Sequence, residues 1–308
     1  MRRLLPGACW LACLLVLGGC GLGAGTAPKG VELLVTRDFG AHILNESSSP
    51  RTAGAETIMS LLERNLPVAT RYGGGFVESI AGLSGGSEAG RPVDWFYYVN
   101  GVQAGKGAAA KDVHPGDRIW WDRHDWSQAE SIPAVVGSYP EPFLSGYEGK
   151  RLPVRIECAD AEGAACKTID SRLQAAGVPA AISAMGAGGS SETLRVLVGP
   201  WSAVGREPIA EQMQNGPRAS GVYAVPAKGG QSIALLDEGG RTVAKVTGRA
   251  GLIAALREGE TAPVWVVTGT DEAGVELAAK AFEEASLRDR FAVAVTQAGV
   301  QALPEAGR

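Results

Sequence analysis

The spacing of apolar and polar residues changes several times along this 308-residue chain, and each change marks an element. "VELLVTRDFG" (31–40) is strand-like, and "AHIL" (41–44) reads as a short return strand before a polar turn, "NESSSPRT". In "AETIMSLLERNL", Ile58, Leu61 and Leu62 recur with Leu66 a turn later, the spacing of a helix with one apolar stripe. Pro67 denies the next turn its geometry and ends that helix. "VATRYGGGFVESIAGL" is extended and bent at its glycines, and "SGGSEAGRP" reads as a mobile loop. "DWFYYVNGVQA" gives a strand and the pair Asn100-Gly101, which suits a type I′ hairpin turn because both central positions need positive φ. "HPGDRIWWDRHDW" supplies a turn and a last strand.

Strand, strand, helix and further strands over residues 31–126 is the order of a β-grasp, a small sheet wrapping one helix. Residues 127–150, with Pro133, Pro140 and Pro142, read as a linker or a strap across the surface, too rich in Val, Phe and Tyr to be fully disordered. From residue 151 to 308 strands and helices alternate. "LPVRIEC", "TLRVLVGPW", "PVWVV" and "RFAVAV" read as strands. "CKTIDSRLQAAG", "SAVGREPIAEQMQNG", "GLIAALREG" and "TDEAGVELAAKAFEEASL" read as helices, and "GVYAVPA", "SIALLDEGG" and "TVAKVT" as short strands. The expected fold class is therefore α+β, an N-terminal β-grasp-like domain followed by a C-terminal α/β domain. Gly199 and Gly269 fall at strand-to-helix turns, where anions can bind, but the P-loop Lys is missing and Asp271 reads better as a helix N-cap.

The first twenty residues differ in kind. Arg2 and Arg3 precede an apolar run from Leu4 to Leu17, too short to span a bilayer permanently and of signal-peptide proportions. It ends in Gly18-Gly19-Cys20, and the segment resembles the lipobox of bacterial lipoprotein signals. That resemblance implies cleavage before Cys20 and acylation of its thiol, which would hold the protein on the extracytoplasmic face of a membrane. An ordinary secretory signal and an uncleaved anchor helix are the other readings. Lipid chains contribute about 0.8 kcal/mol per buried methylene, so more than one anchors stably. Residues 21–30 are small and read as a flexible tether. Cys9 and Cys13 leave with such a signal, and the remaining pair, Cys158 and Cys166, reads as a disulfide in an exported protein, with two reduced buried thiols as the alternative. The net charge of −4 is spread without long runs, so no basic stripe offers itself to nucleic acid.

Residues 93–126 hold four of the seven Trp, three further aromatics and two of the three His. On a strand alternate residues share a face, so Trp95, Tyr97 and Val99 point one way and Phe96 and Tyr98 the other; Ile119 and Trp121 oppose Trp120 and Asp122 in the same manner. One helix covers one side of a small sheet. The second aromatic face must lie against the strap and second domain, a partner protein, or a flat ligand.

"AETIMSLLERN", "DWFYYVNG" and "VHPGDRIWW", in that order, resemble the transcobalamin-like C-terminal domain, a β-grasp family. It forms the smaller half of vertebrate cobalamin carriers and occurs in bacterial exported proteins, often lipoproteins. The resemblance covers roughly residues 30–126, and the large helical barrel that carriers pair with this domain is not visible. It implies binding of a soluble ligand, cobalamin or another corrinoid, with no other cofactor. By transfer Tyr97, Tyr98, Trp120 and Trp121 are candidate lining residues, joined by Trp95 on the same strand; core packing is the alternative for each. His124 is a candidate ligand to a metal centre such as cobalt, or a solvated loop residue between Arg123 and Asp125. The expected protein is a lipoprotein that captures a small molecule and passes it to a membrane transporter. The alternative is a non-enzymatic surface scaffold. Neither a nucleophile–base pair nor a metal motif points to an enzyme.

Overall fold

Strand Glu32–Arg37 lies inside the N-terminal sheet, whose order is His42–Ser47, Glu32–Arg37, Arg118–Asp125, Arg91–Val99 and Gly86–Glu88, with Val102–Gln103 folded back on Arg91–Val99. The computed structural model describes residues 29–188 and 190–305; the segment read as a signal, Cys20 and most of the tether lie outside them. The first and last long strands run parallel, with Leu34 beside Trp120 and Thr36 beside Asp122, while all other pairs in this sheet are antiparallel. A parallel neighbour cannot be reached by a hairpin, and the crossover carries the helix Ile58–Asn65. Thr57 starts it: its hydroxyl accepts from the Ser60 N–H at 3.2 Å while Ser60 Oγ accepts from the Thr57 N–H at 2.9 Å. Leu66, before Pro67, is already extended. Ile58, Leu61 and Leu62 bury against Leu33, Val35, Ile119 and Trp121, which closes one face of the sheet.

Asn100 and Gly101 have φ of 54° and 77° between the paired Val99 and Val102, the hairpin turn the sequence predicts. "SGGSEAGRP" departs from the expected loop. Ala89 and Gly90 form a second turn of positive φ, so Gly86–Glu88 pairs with Arg91–Val93, and Glu88 holds Arg123 at 2.6 Å. The return strand also runs on through Ser47, because polar side chains suit an edge that faces water.

The C-terminal sheet has the order Ala181–Ala184, Val154–Cys158, Leu194–Pro200, Val264–Gly269, Gly251–Leu256, Ala292–Thr296 and Gly299–Leu303. Its first four strands are parallel and the rest antiparallel. Helices Ala164–Ala175 and Glu272–Lys280 cover one face. The other face meets a three-stranded sheet (Ala224–Pro226, Ser232–Leu236, Thr242–Thr247) and the N-terminal half. The chain is thus α+β. Cys158, at a strand end, is bonded to Cys166 on the helix beside it, across a Cα separation of 6.0 Å. No helix among the described residues is long and apolar enough to cross a membrane.

Several expectations for this half are corrected. "GLIAAL" is a strand with all six residues buried, not a helix. "SAVGREPIAEQMQNG" breaks into short turns at Gly205 and before Pro208, and the helix after Asp271 stops at Lys280 before a further turn, Glu284–Leu287. A strand, Gly299–Leu303, follows the one expected to close the fold. Asp271 does cap its helix, accepting from the Gly274 N–H at 2.7 Å. The two strand-to-helix glycines serve close packing: a Cβ at Gly269 would fall 2.5 Å from the Val275 nitrogen, and one at Gly199 would fall 2.6 Å from Ala159 Cβ.

Residues 127–150 do not run over the surface. Ile132, Val135, Val136, Tyr139 and Phe143 are buried, and the segment is bonded to both halves: Val135 N donates to Gly101 O, and Val136 N donates to Phe291 O. It is an internal seam.

Candidate functional site

The two aromatic strands lie side by side, with Tyr97 opposite Trp121 and Tyr98 opposite Trp120. Alternation sends Trp95, Tyr97 and Trp121 to the helix side. Tyr98, Trp120 and His124 go to the other side, where the C-terminal half covers them. Tyr98 and Trp120 have no exposed surface. The Phe291 ring meets both edge-on, at 5.5 and 5.1 Å between centroids.

His124 is not a loop residue. It sits on strand Arg118–Asp125, 2 % exposed, its ring between Phe96 at 4.5 Å and Phe39 at 4.6 Å. Its Nδ1 is 2.7 Å from Asp122 Oδ1. The buried Asp122 carboxylate also takes the Thr36 hydroxyl and the backbone N–H groups of Phe39 and Gly40, at 3.1 and 2.9 Å. Trp120 Nε1 donates to Thr36 Oγ1 at 2.7 Å. One carboxylate thereby ties the sheet to the loop Asp38–Gly40, whose residues take φ of 58°, 58° and 84°. Two of these are side-chain-bearing residues in a sparsely populated region; Asp38 N donates to Arg123 O at 2.9 Å, and the Asp122 bonds fix Phe39 and Gly40. Among the described residues, no group of three His, Cys, Asp or Glu is placed to hold a metal ion.

A family described as a domain of unknown function, DUF4430, matches residues 55–125. The matched stretch takes in the helix and both aromatic strands but not strand Glu32–Arg37, which completes the sheet between them and the edge. No curated protein matches the chain.

The strained loop forms one wall of a cleft of about 530 Å³ between the halves. Phe39 and Gly40 meet Glu238, Arg290, Gln301 and Glu305 across it. None of these residues stands out in sequence. Phe39 belongs to a "DFG" that reads as a strand end, and its partners lie about 200 to 270 residues on. The positive φ at Asp38 and Phe39 is a signal that only coordinates carry.

The cleft is acidic. Burial pushes the Glu238 carboxyl above the ordinary glutamate range, with Asp38 adding to it and Arg91 opposing. Burial also raises Asp38, against the pull of Arg37. A carboxyl raised by folding binds its proton more tightly folded than unfolded. Its contribution to stability is complete below the unfolded value, about 4.3 for Glu, and is lost as pH rises through the folded value. Glu238→Gln is therefore expected to be more stable than the native protein at neutral pH, with the difference closing as pH falls towards 4. Denaturant midpoints at the two pH values check this; a gain that persists at low pH would contradict it.

Proposed function

We propose that the protein is a lipid-anchored extracytoplasmic binding protein, acylated at Cys20, that holds a small soluble ligand in the cleft between its halves for delivery to a membrane transporter. The cleft is the observation that carries this reading: about 530 Å³ lies within the range of sites that hold drug-sized molecules, and junctions between domains are where such sites tend to form. The resemblance of roughly residues 30–126 to the transcobalamin-like domain makes a corrinoid the first ligand to test, with the cleft taking one edge of the ring. His124 is not offered as a metal ligand, since its Nδ1 is engaged and its ring is enclosed.

The test is calorimetric titration of the purified protein with cobalamin and cobinamide. Saturable binding at micromolar ligand is expected, lost on Ala302→Trp, which fills the cleft from strand Gly299–Leu303. No heat with either corrinoid sinks the corrinoid assignment. Unaltered binding by the Trp variant sinks the cleft.

A second reading has one observation in its favour. The aromatic face that sequence reasoning offered to a ligand is sealed by Phe291 and the 127–150 segment, so Tyr98 and Trp120 need no ligand to account for them. A rigid two-part surface scaffold meets that observation equally well. It predicts that nothing small copurifies with the protein, as read by mass.

A further inference from the structure

The cleft between the halves holds charges of both signs that do not pair with one another. Arg290 and Glu238 both line it, and both are half-buried. Arg290 Nη1 donates to Ser286 O at 2.9 Å, and no carboxylate among the described residues pairs with the guanidinium. Its neighbours differ. Arg288 is held by Glu46 at 2.7 Å and by Glu284, and Asp289 by Arg118. Glu238 is 3.7 Å from Arg91 Nη1, which lies closer to Asp125, at 3.1 Å. One guanidinium there serves two carboxylates.

Backbone pairing fixes how far apart Arg290 and Glu238 stand. Strand Ala292–Thr296, which begins two residues after Arg290, pairs with Gly299–Leu303. Two residues past Leu303, Glu305 bridges to Asp237, beside Glu238. The two charges therefore spring from backbones two strand spacings apart, about 10 Å, with Glu305 between them.

Charges that face a shared cavity without meeting have lost water and gained no partner. Burial and Asp38 push the Glu238 carboxyl up, which a cation brought beside it would reverse. A guanidinium with most of its donors unspent suits a carboxylate, which it can take with two parallel bonds. Phe39, Ala302 and Pro304 give apolar surface to the body of a ligand. A purely cationic ligand would leave Arg290 unanswered, and a purely anionic one would leave Glu238 so. We infer that the cleft takes a small zwitterion of the amino-acid or dipeptide kind, its carboxylate on Arg290 and its ammonium on Glu238. This rests on the cleft being the ligand site, as proposed above, and not on the corrinoid chosen first to test it.

The test is calorimetric titration of the intact protein at about pH 6, where α-amino groups are charged. L-phenylalanine and glycylphenylalanine are each compared with two analogues: the C-terminal amide, which keeps only the positive charge, and the N-acetyl form, which keeps only the negative one. At least one zwitterion is expected to bind saturably and on the order of tenfold more tightly than either of its own analogues. Arg290→Met should bring it down to the affinity of its amide, and Glu238→Gln to that of its N-acetyl form. Ala302→Trp should abolish binding altogether. The two charge variants lie on separate segments, so if one fails to fold the other still decides. Analogues that bind as tightly as both zwitterions, with all binding lost on Ala302→Trp, overturn the charge assignment and leave the cleft as a site. Zwitterion binding that survives Ala302→Trp overturns the location. No heat with any of the six compounds overturns the proposal, and the corrinoid titration then judges the cleft separately.

Discussion

Trp120→Ala is expected to destabilise the protein by about 3–5 kcal/mol, the cost of removing a large aromatic from a closed core. The ring has no exposed surface and is fitted on several sides. A Cβ on Gly40 would approach it to 3.1 Å and one on Gly137 to 2.8 Å, so the backbone of the N-terminal half and of the 127–150 segment is already close against the indole and has little room to collapse into its place. Phe291 and Tyr98 would each lose their aromatic neighbour, and Thr36 would lose the donor at its hydroxyl. Trp120→Phe keeps most of the ring and removes that donor, so it should fall between Ala and the native residue. Denaturant midpoints report both. A loss under about 1 kcal/mol for Ala would mean that the halves stand independently of this seam.

That seam marks where sequence stopped being informative. Period-two alternation was enough to separate Trp95, Tyr97 and Trp121 from Tyr98 and Trp120, because a strand has no freedom to do otherwise. It also required a cover for the second face. Alternation cannot say which cover: Phe291 lies about 170 residues beyond Trp120, and their meeting depends on the docking of two sheets. Asn100-Gly101 was legible because its turn needs positive φ at both positions, and Pro67 because it removes a backbone donor. "GLIAAL" was not. Six buried residues on an inner strand leave no polar position to set a period, and a short apolar run then reads equally as helix. His124 was misplaced for a related reason. Arg123 and Asp125 on either side suggest solvent, yet Arg123 reaches Glu88 and Asp125 reaches Arg91, while His124 points the other way into aromatic rings. The cleft was invisible because each of its walls comes from a different part of the chain and none carries a spacing.

Arg195→Ala is expected to cost about 3–5 kcal/mol as well, by a different route. Glu157 has no exposed surface, on strand Val154–Cys158 inside the C-terminal sheet. Arg195, on the parallel neighbour, clasps its carboxylate with Nε and Nη2, both at 2.7 Å, and Nη2 also reaches Glu207 at 2.9 Å. The planar guanidinium matches both carboxylate oxygens at once, which a Lys at this position would not. Removing it leaves a buried carboxylate with no counter-charge, where the energetic loss exceeds the worth of the pair itself. The double variant Glu157→Gln with Arg195→Met separates the two. It discards the ions together and keeps the volume, so it should be closer to the native protein than Arg195→Ala alone. Urea midpoints of Glu157→Gln, of Arg195→Met and of the double variant measure the coupling. Additive losses would show that Glu157 does not depend on Arg195, and that the charge inside this sheet is satisfied by some other means.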